Sequence, residues 1–378
     1  MAKAAGIIFS NLHDSSLPEL TSKRTMASVP FGCRYRLIDF ALSNMVNSGI
    51  TKIGVVVHDN YRSLMDHIGT GKDWDLARRS GGIKILPPFI TAFGNVGAKK
   101  LYSTRLEAMI GVSEFISRCN EEYIVLSDCD LVLNADISQI LKAHIENEAD
   151  LTLLTAPQSF IGGISPYNTH TVKCDENGRI TDISIYNARK TQNEISTNLK
   201  IINRVYLLSI IDEALSRGYT DLYSEILARA LKKKRLFAYS CNCSILSISS
   251  LKGYYDASMS LLSDSIRNEL ITRENRPIFT KVRNSAPTLY KKDAQIRNSY
   301  IADGCEIEGY VENSIIFRGV KISKGACVKN SILLQNTFVG EKTELDCVIT
   351  DKDVTLKNSR KLSGHRNMPF FIPKNSTV

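Results

Sequence analysis

The spacing of apolar residues along the chain changes its period once, near residue 280. Before that point short apolar runs alternate with amphipathic stretches. Gly6–Ser10, Lys52–Val57, Tyr123–Ser127, Asp150–Thr155 and Val205–Leu208 read as strands, and Ile38–Asn47, Ser103–Arg118 and Asp136–Asn147 as helices. Such alternation predicts an α/β fold, a largely parallel sheet with helices on both faces. Ligands of these sheets bind beyond the carboxyl ends of the strands, which directs attention to the loops there.

From Gln295 onward no helical period remains. Asn-Ser followed by two apolar or aromatic residues recurs as Asn298-Ser299-Tyr300-Ile301, Asn313-Ser314-Ile315-Ile316 and Asn330-Ser331-Ile332-Leu333. A weaker fourth copy is Asp346-Cys347-Val348-Ile349, so the copies stand 15, 17 and 16 residues apart. Apolar residues at short spacing (Val320, Ile322, Ala326, Val328) and glycines at 304, 309, 319, 325 and 340 complete the pattern. Three short strands per coil of a parallel β-helix require this grammar, which glycine and β-branched residues deny to a helix. The prolines of the segment from Thr272 to Thr288 mark a linker. The chain thus divides into an α/β domain (1–270), a linker (271–294) and a β-helix with a C-terminal tail (295–378).

Composition narrows the function classes. No apolar run approaches the roughly 18–20 residues that a membrane span needs, and the N-terminus reads as a first strand rather than a secretory signal. The nine cysteines show no framework spacing, and Cys241 and Cys243 are separated by a single residue. That pattern predicts reduced thiols, a cytoplasmic setting and no sulfur metal site. The net charge of +9 is spread along the chain. The densest run, Lys232-Lys233-Lys234-Arg235, follows the helical-looking Tyr223–Leu231 and reads as a solvated helix end rather than a nucleic-acid patch.

Several phrases carry a family resemblance. The run Val29-Pro30-Phe31-Gly32-Cys33-Arg34-Tyr35-Arg36-Leu37-Ile38-Asp39-Phe40-Ala41-Leu42-Ser43-Asn44 is similar to the "VxFGGKYRIIDFxLSN" block of ADP-glucose pyrophosphorylases. Asn47–Ile50, Gly69–Leu76, Gly81–Pro88, Val311–Ser314 and Phe317–Val320 also resemble family phrases, in the family's order. The resemblance implies a Rossmann-like (GT-A-like) nucleotidyltransferase domain followed by a left-handed parallel β-helix.

The departures from that family fall on its chemistry. Its glycine-rich "LAGGxGxRL" turn lets backbone amides reach a triphosphate, and its arginine neutralises departing pyrophosphate. Here the stretch reads Phe9-Ser10-Asn11-Leu12-His13-Asp14-Ser15-Ser16-Leu17, without glycine, with Ser16 in the arginine's place and with an added carboxylate at Asp14. Met26 and Ala27 stand where "KP" is expected. Of "SGDHIYKMD", Asp130 and Asp136 survive as remnants within Asp128–Asp136. The family's second metal-holding aspartate falls at Leu246. The sugar-phosphate phrase "FxEKP" reads Ile183-Ser184-Ile185-Tyr186-Asn187, with Arg189 and Lys190 downstream out of register. "YxGTADA" is reduced to Tyr102-Ser103-Thr104-Arg105-Leu106-Glu107-Ala108.

Four changed sites resemble the GlgD-type subunits that accompany a catalytic pyrophosphorylase. The resemblance therefore implies a non-catalytic or weakly active regulatory subunit of glucose-1-phosphate adenylyltransferase in bacterial glycogen biosynthesis. It would sit in a hetero-oligomer with a catalytic subunit, with no cofactor of its own and Mg²⁺ in the partner. The alternative is an active adenylyltransferase working through Asp130. A β-helix acyltransferase would need a histidine within its coils as general base, and residues 295–356 contain none; His365 lies beyond them.

Lys23, Arg24, Arg34 and Arg36 fall where the family keeps cations for regulators, and suit a phosphorylated small-molecule effector. The competing reading has Arg34 and Arg36 alternating along a strand and pairing with surface carboxylates. Asp130 likewise reads either as a turn or helix cap or as a metal ligand. His13, His58, His67, His144 and His170 share no spacing that marks a dyad, and read as surface or satisfied core residues.

Overall fold

The computed structural model of the chain describes residues 3–87, 102–157, 161–162, 169–185, 194–241 and 243–378. The expectations for Pro88, Tyr186, Asn187, Arg189 and Lys190 lie outside the described residues.

A nine-stranded sheet positions the candidate site. Its strands are β1 (Ala4–Phe9), β2 (Lys52–Val56), β3 (Gly82–Leu86), β4 (Tyr123–Asp128), β5 (Leu151–Ala156), β6 (His170–Cys174), β7 (Ile180–Ile185), β8 (Glu194–Asn203) and β9 (Leu236–Ser240). β1 lies between β4 and β2, parallel to both, and β3 continues the parallel run. The long β8 runs antiparallel to β4 on one edge and to β5 on the other. Alternate side chains of β1 feed two cores: Ile8 enters one, while Ala5, Ile7 and Phe9 enter the other. Helices α1 (Leu37–Val46), α3 (Ile137–Glu146) and α5 (Leu251–Ser260) pack on the first face; α2 (Arg105–Gly111) and α4 (Arg204–Arg217) pack on the second.

Val205–Leu208, read as a strand, lies inside α4. Tyr206, Leu207, Ile210, Ile211 and Ala214 are buried at helical spacing, while Val205 is left exposed on the far side. The strand is the preceding β8, whose polar Ser196, Thr197, Asn198 and Lys200 hid it from a hydrophobicity reading. The thiol expectation also needs correction. Cys241 and Cys243 are joined by a disulfide, because the chain turns after β9 and brings their Cα atoms to 5.4 Å. The basic run is partly paired: Lys234 reaches Asp150 at 3.7 Å, and Arg235 meets Glu148. Among the described residues no helix is long and apolar enough to cross a membrane.

The C-terminal third forms three parallel five-stranded sheets, the faces of a β-helix. Its first strand is Leu289–Tyr290, inside the segment assigned to the linker. Two residues flanked by Pro287 and Lys291 are too short a run to show a period. The Asn-Ser repeat has a stereochemical cause. Asn298, Asn313 and Asn330 turn corners at φ 38°, 46° and 46°, a region that asparagine tolerates better than most residues. The serines form a second column, in which the Ser314 and Ser331 amides donate to the hydroxyls of Ser299 and Ser314 at 3.2 and 3.1 Å. Lys329 pairs with Asp346 and Ile332 with Ile349, so the last interval is 17 residues and Cys347, not Asp346, takes the corner. At Gly309 a Cβ would come within 2.4 Å of the Ala326 carbonyl oxygen, which excludes any larger residue there.

One face of the β-helix is doubly buried. Ile316 and Leu333 point into its own core, while Ile315, Ile332 and Ile349 join the core beneath α1 and α5. Burying each such side chain is worth roughly 1.5–3 kcal/mol. Polar contacts fix the docking: the Tyr255 hydroxyl donates to the Asn330 carbonyl at 2.7 Å. Arg24 also pairs with Asp351 at 2.8 Å across the boundary.

Candidate active-site remnant and domain-interface cations

The parallel strands β1 and β4 end side by side, with Phe9 in register with Asp128. The loop that follows β1 closes on its own side chains. Asn11 Nδ2 donates to Asp14 Oδ2 at 2.7 Å and to the Asp59 carbonyl at 3.1 Å. The Met26 amide donates to Asp14 Oδ1 at 2.6 Å. The Asp14 carboxylate thus takes both the Asn11 side-chain amide and the Met26 backbone amide. Burial pushes the Asp14 carboxyl up to about 6, against the opposing effect of its bonds from Met26 and Asn11.

Beside this turn the end of β4 and the irregular middle of β8 carry an ionic cluster. Asp128 receives His13 Nε2 at 2.7 Å and the Arg105 guanidinium, whose Nε lies 3.3 Å from Oδ1. Arg105 Nη2 also donates to Asn198 Oδ1 at 3.0 Å. Asn198 Nδ2 in turn donates to both oxygens of Asp130, at 2.9 and 2.8 Å. Arg105 is aimed here by the start of α2, where Thr104 and Glu107 form a reciprocal cap. Lys200, from β8, is fully buried; its ammonium lies over the Tyr223 ring at 5.3 Å and makes no hydrogen bond.

Electrostatics bind the cluster together. Burial opposes charge on Asp128, but Arg105 and His13 outweigh it and hold the carboxyl well below its usual range. Burial also disfavours the His13 imidazolium, yet Asp130 and Asp128 raise its proton affinity on balance. Burial, helped by Arg105, lowers that of Lys200.

One ligand atom each from His13, Asp128 and Asp130 lies within 4.8 Å of the others. Mg²⁺ asks for near-octahedral oxygen ligation with several retained waters. The residues present do not fit it. Both Asp128 oxygens serve Arg105 and both Asp130 oxygens serve Asn198, the third donor is a nitrogen, and the side chains of Asp128, Arg105 and Asp130 are only 0%, 11% and 13% exposed.

Asp130 is no helix cap; its side chain serves Asn198. Asp136 is the cap, accepting the Ser138 amide at 3.1 Å at the start of α3 and pairing with Arg276 at 3.1 Å. The strand Ile245–Ser247 brings buried Leu246 opposite Val132, so this strand offers no carboxylate to the cluster.

The four cations singled out in the sequence separate. Lys23 and Arg34 are exposed, Arg34 lying 5.9 Å from the Tyr35 ring. Arg24 and Arg36 are buried. Arg24 Nη2 bonds both oxygens of Asp351, while its Nη1 is buried without a partner. Arg36 Nη1 donates to the Ser63 carbonyl at 2.6 Å and hydroxyl at 3.0 Å. The structure adds two cations that motif reasoning missed, Arg283 and Lys352. Burial lowers Lys352 to about 7, with Arg36, Arg24 and Arg283 adding to the effect and Asp351 opposing it. Burial lowers Arg36 to about 10, again with Arg283 and Arg24 contributing. This is a concentrated positive field at the seam between the two domains. Its signal in the sequence was faint, since Arg283 lies in the linker and Lys352 in a β-helix turn.

Comparison with known proteins agrees with both parts of the fold. Residues 7–243 match the nucleotidyl transferase family, and residues 285–365 match the GlmU-like C-terminal hexapeptide repeat. A glycogen biosynthesis protein GlgD from Bacillus subtilis is 31% identical over 371 residues, covering 98% of this chain and 95% of its own length. A glucose-1-phosphate adenylyltransferase from Geobacillus stearothermophilus is 31% identical over 332 residues, covering 86% and 83%. Another from Bacillus anthracis is 28% identical over 375 residues, covering 98% and 97%.

Proposed function

Because the chain belongs to the nucleotidyl transferase family, as a GlgD-type member of its glucose-1-phosphate adenylyltransferase group with a left-handed β-helix, we propose that it is a non-catalytic regulatory subunit. It serves ADP-glucose synthesis in bacterial glycogen biosynthesis, in a hetero-oligomer with a catalytic subunit that carries the Mg²⁺.

The observation that carries this reading is the turn after β1. Transfer of an adenylyl group needs backbone amides and cations free to meet phosphate oxygens as charge develops. Here the Met26 amide and the Asn11 side chain are spent on Asp14. A negative carboxylate thus sits among the donors. Leu246 offers no second carboxylate, so among the described residues neither this turn nor that strand supplies a device for handling the triphosphate.

The regulatory half of the reading rests on the domain seam. Arg24 with one unpartnered nitrogen, Arg36, Arg283 and Lys352 would take a phosphorylated small molecule, since guanidinium forks suit phosphate oxygens. Such a ligand would contact both domains at once. Lys23 and Arg34 are exposed and are not part of this group.

The test is to mix the purified chain with the adenylyltransferase subunit of the same organism. The mass of the mixture and its rate of ADP-glucose formation are then measured, with and without a sugar bisphosphate. A hetero-oligomer with an altered rate or activator response is expected. Separate species with unchanged kinetics would overturn the proposal.

A further inference from the structure

The ionic cluster at the end of β4 and the middle of β8 has a composition unlike that of a carboxylate pair waiting for a metal. Asp128 and Asp130 bring two negative charges, and two side chains that burial has removed from water, Arg105 and Lys200, bring two positive ones. His13 adds a third donor at 2.7 Å from Asp128 and 3.6 Å from Asp130. Arg105 is never deprotonated in practice, so its charge is a permanent part of the centre.

We propose that Arg105 is the resident cation of this centre, standing against the paired carboxylates in place of a divalent ion. The folded chain is therefore metal-independent, and becomes a divalent-metal site only when Arg105 is removed. This rests on reading the centre as non-catalytic, but its test does not depend on turnover.

Occupancy is set by competition. A divalent ion would have to displace a guanidinium that bonds Asp128 and Asn198 together. It would also have to break the Asn198 amide from Asp130, which that amide bonds through both oxygens. The expelled Arg105 would then leave Asn198 Oδ1 without its donor and would itself need new partners in a largely enclosed site. Leaving buried charges unpaired is strongly destabilising. Lys200, whose charge also acts on Asp128, repels an incoming cation when protonated. With Arg105 cut back to alanine the balance reverses. Two carboxylates and an imidazole then converge within 4.8 Å with one cation lost. That nitrogen-and-oxygen donor set suits Mn²⁺ or Zn²⁺ better than Mg²⁺.

The experiment titrates the full-length chain with Mn²⁺, following free Mn²⁺ by electron paramagnetic resonance and thermal unfolding in parallel. The native chain should bind no Mn²⁺ at this centre, and its melting temperature should not respond to Mn²⁺ or to a chelator. Arg105→Ala should bind one equivalent and gain thermal stability with Mn²⁺, and adding Asp130→Asn should abolish both effects. If Arg105→Ala folds only with metal, recovery of the fold on adding Mn²⁺ is the same readout. Stoichiometric binding by the native chain that Asp130→Asn removes would overturn the proposal. So would an Arg105→Ala protein that neither binds Mn²⁺ nor is stabilised by it.

Discussion

Arg24 and Asp351, 327 residues apart, meet in a buried ion pair in which one guanidinium nitrogen bonds both carboxylate oxygens at 2.9 and 2.8 Å. This pair ties the loop after β1 to the β-helix, so the candidate active site and the domain seam share one element. Removing one partner leaves the other charge buried alone. Asp351→Asn is expected to cost about 3 kcal/mol, read as a lower urea midpoint. An unchanged midpoint would contradict a stabilising role for the pair.

Anion binding at the seam should depend on pH through Lys352. Its ammonium titrates near 7, so the cation is present below that pH and lost above it. Affinity for pyrophosphate, measured by calorimetry, should fall as pH rises from 6 to 8. Lys352→Ala should bind more weakly at pH 6 and show a flatter profile; a profile unaffected by the substitution would exclude Lys352 from the site.

Asp14 gives a second pH signature with the sign reversed from that of an ordinary paired carboxylate. Its carboxyl is raised from 3.8 to about 6, so the folded state binds the proton more tightly than the unfolded chain. The stability it contributes is full below the unfolded value and is lost as pH rises through 6. Relative to Asp14→Asn, the native chain should lose on the order of 2 kcal/mol over that window, less than the full shift because water reaches part of the group. Denaturation curves at a series of pH values would show it, and parallel curves for the two proteins would contradict it.

Much of the architecture was legible because it is periodic. The alternation of strands and helices and the Asn-Ser corners both state a backbone geometry directly. β8 was missed because its site-facing residues, Asn198 and Lys200, broke the apolar pattern that marks a strand. The departures from the family's motifs after β1 and at Leu246 were plain in the sequence. What fills the space was not. Arg105 and His13 are ordinary polar residues in sequence, and they meet Asp128 from 23 and 115 positions away. The cation cluster was half visible for the same reason: Arg24 and Arg36 lie in a recognisable block, whereas Lys352 joins them only through the docking of the β-helix.

A further prediction concerns that docking. The Tyr255 hydroxyl donates to Asn330 across the boundary, and the Tyr255 side chain lies against Cys347. Tyr255→Phe should lower stability by about 1 kcal/mol, the net worth of one hydrogen bond, without altering metal or anion binding. A loss of anion affinity in this variant would show that the seam transmits strain to its ligand site.

On the proposed function, this chain has lost adenylyl transfer. The most direct test of that loss is incubation of the purified chain alone with Mg²⁺, ATP and glucose 1-phosphate, following pyrophosphate release over hours. No turnover above background is expected, and Asp130→Ala should leave that result unchanged. Clear turnover that Asp130→Ala abolishes would contradict the account, because the carboxylate held by Asn198 would then have to exchange that partner for the reacting phosphates or their metal.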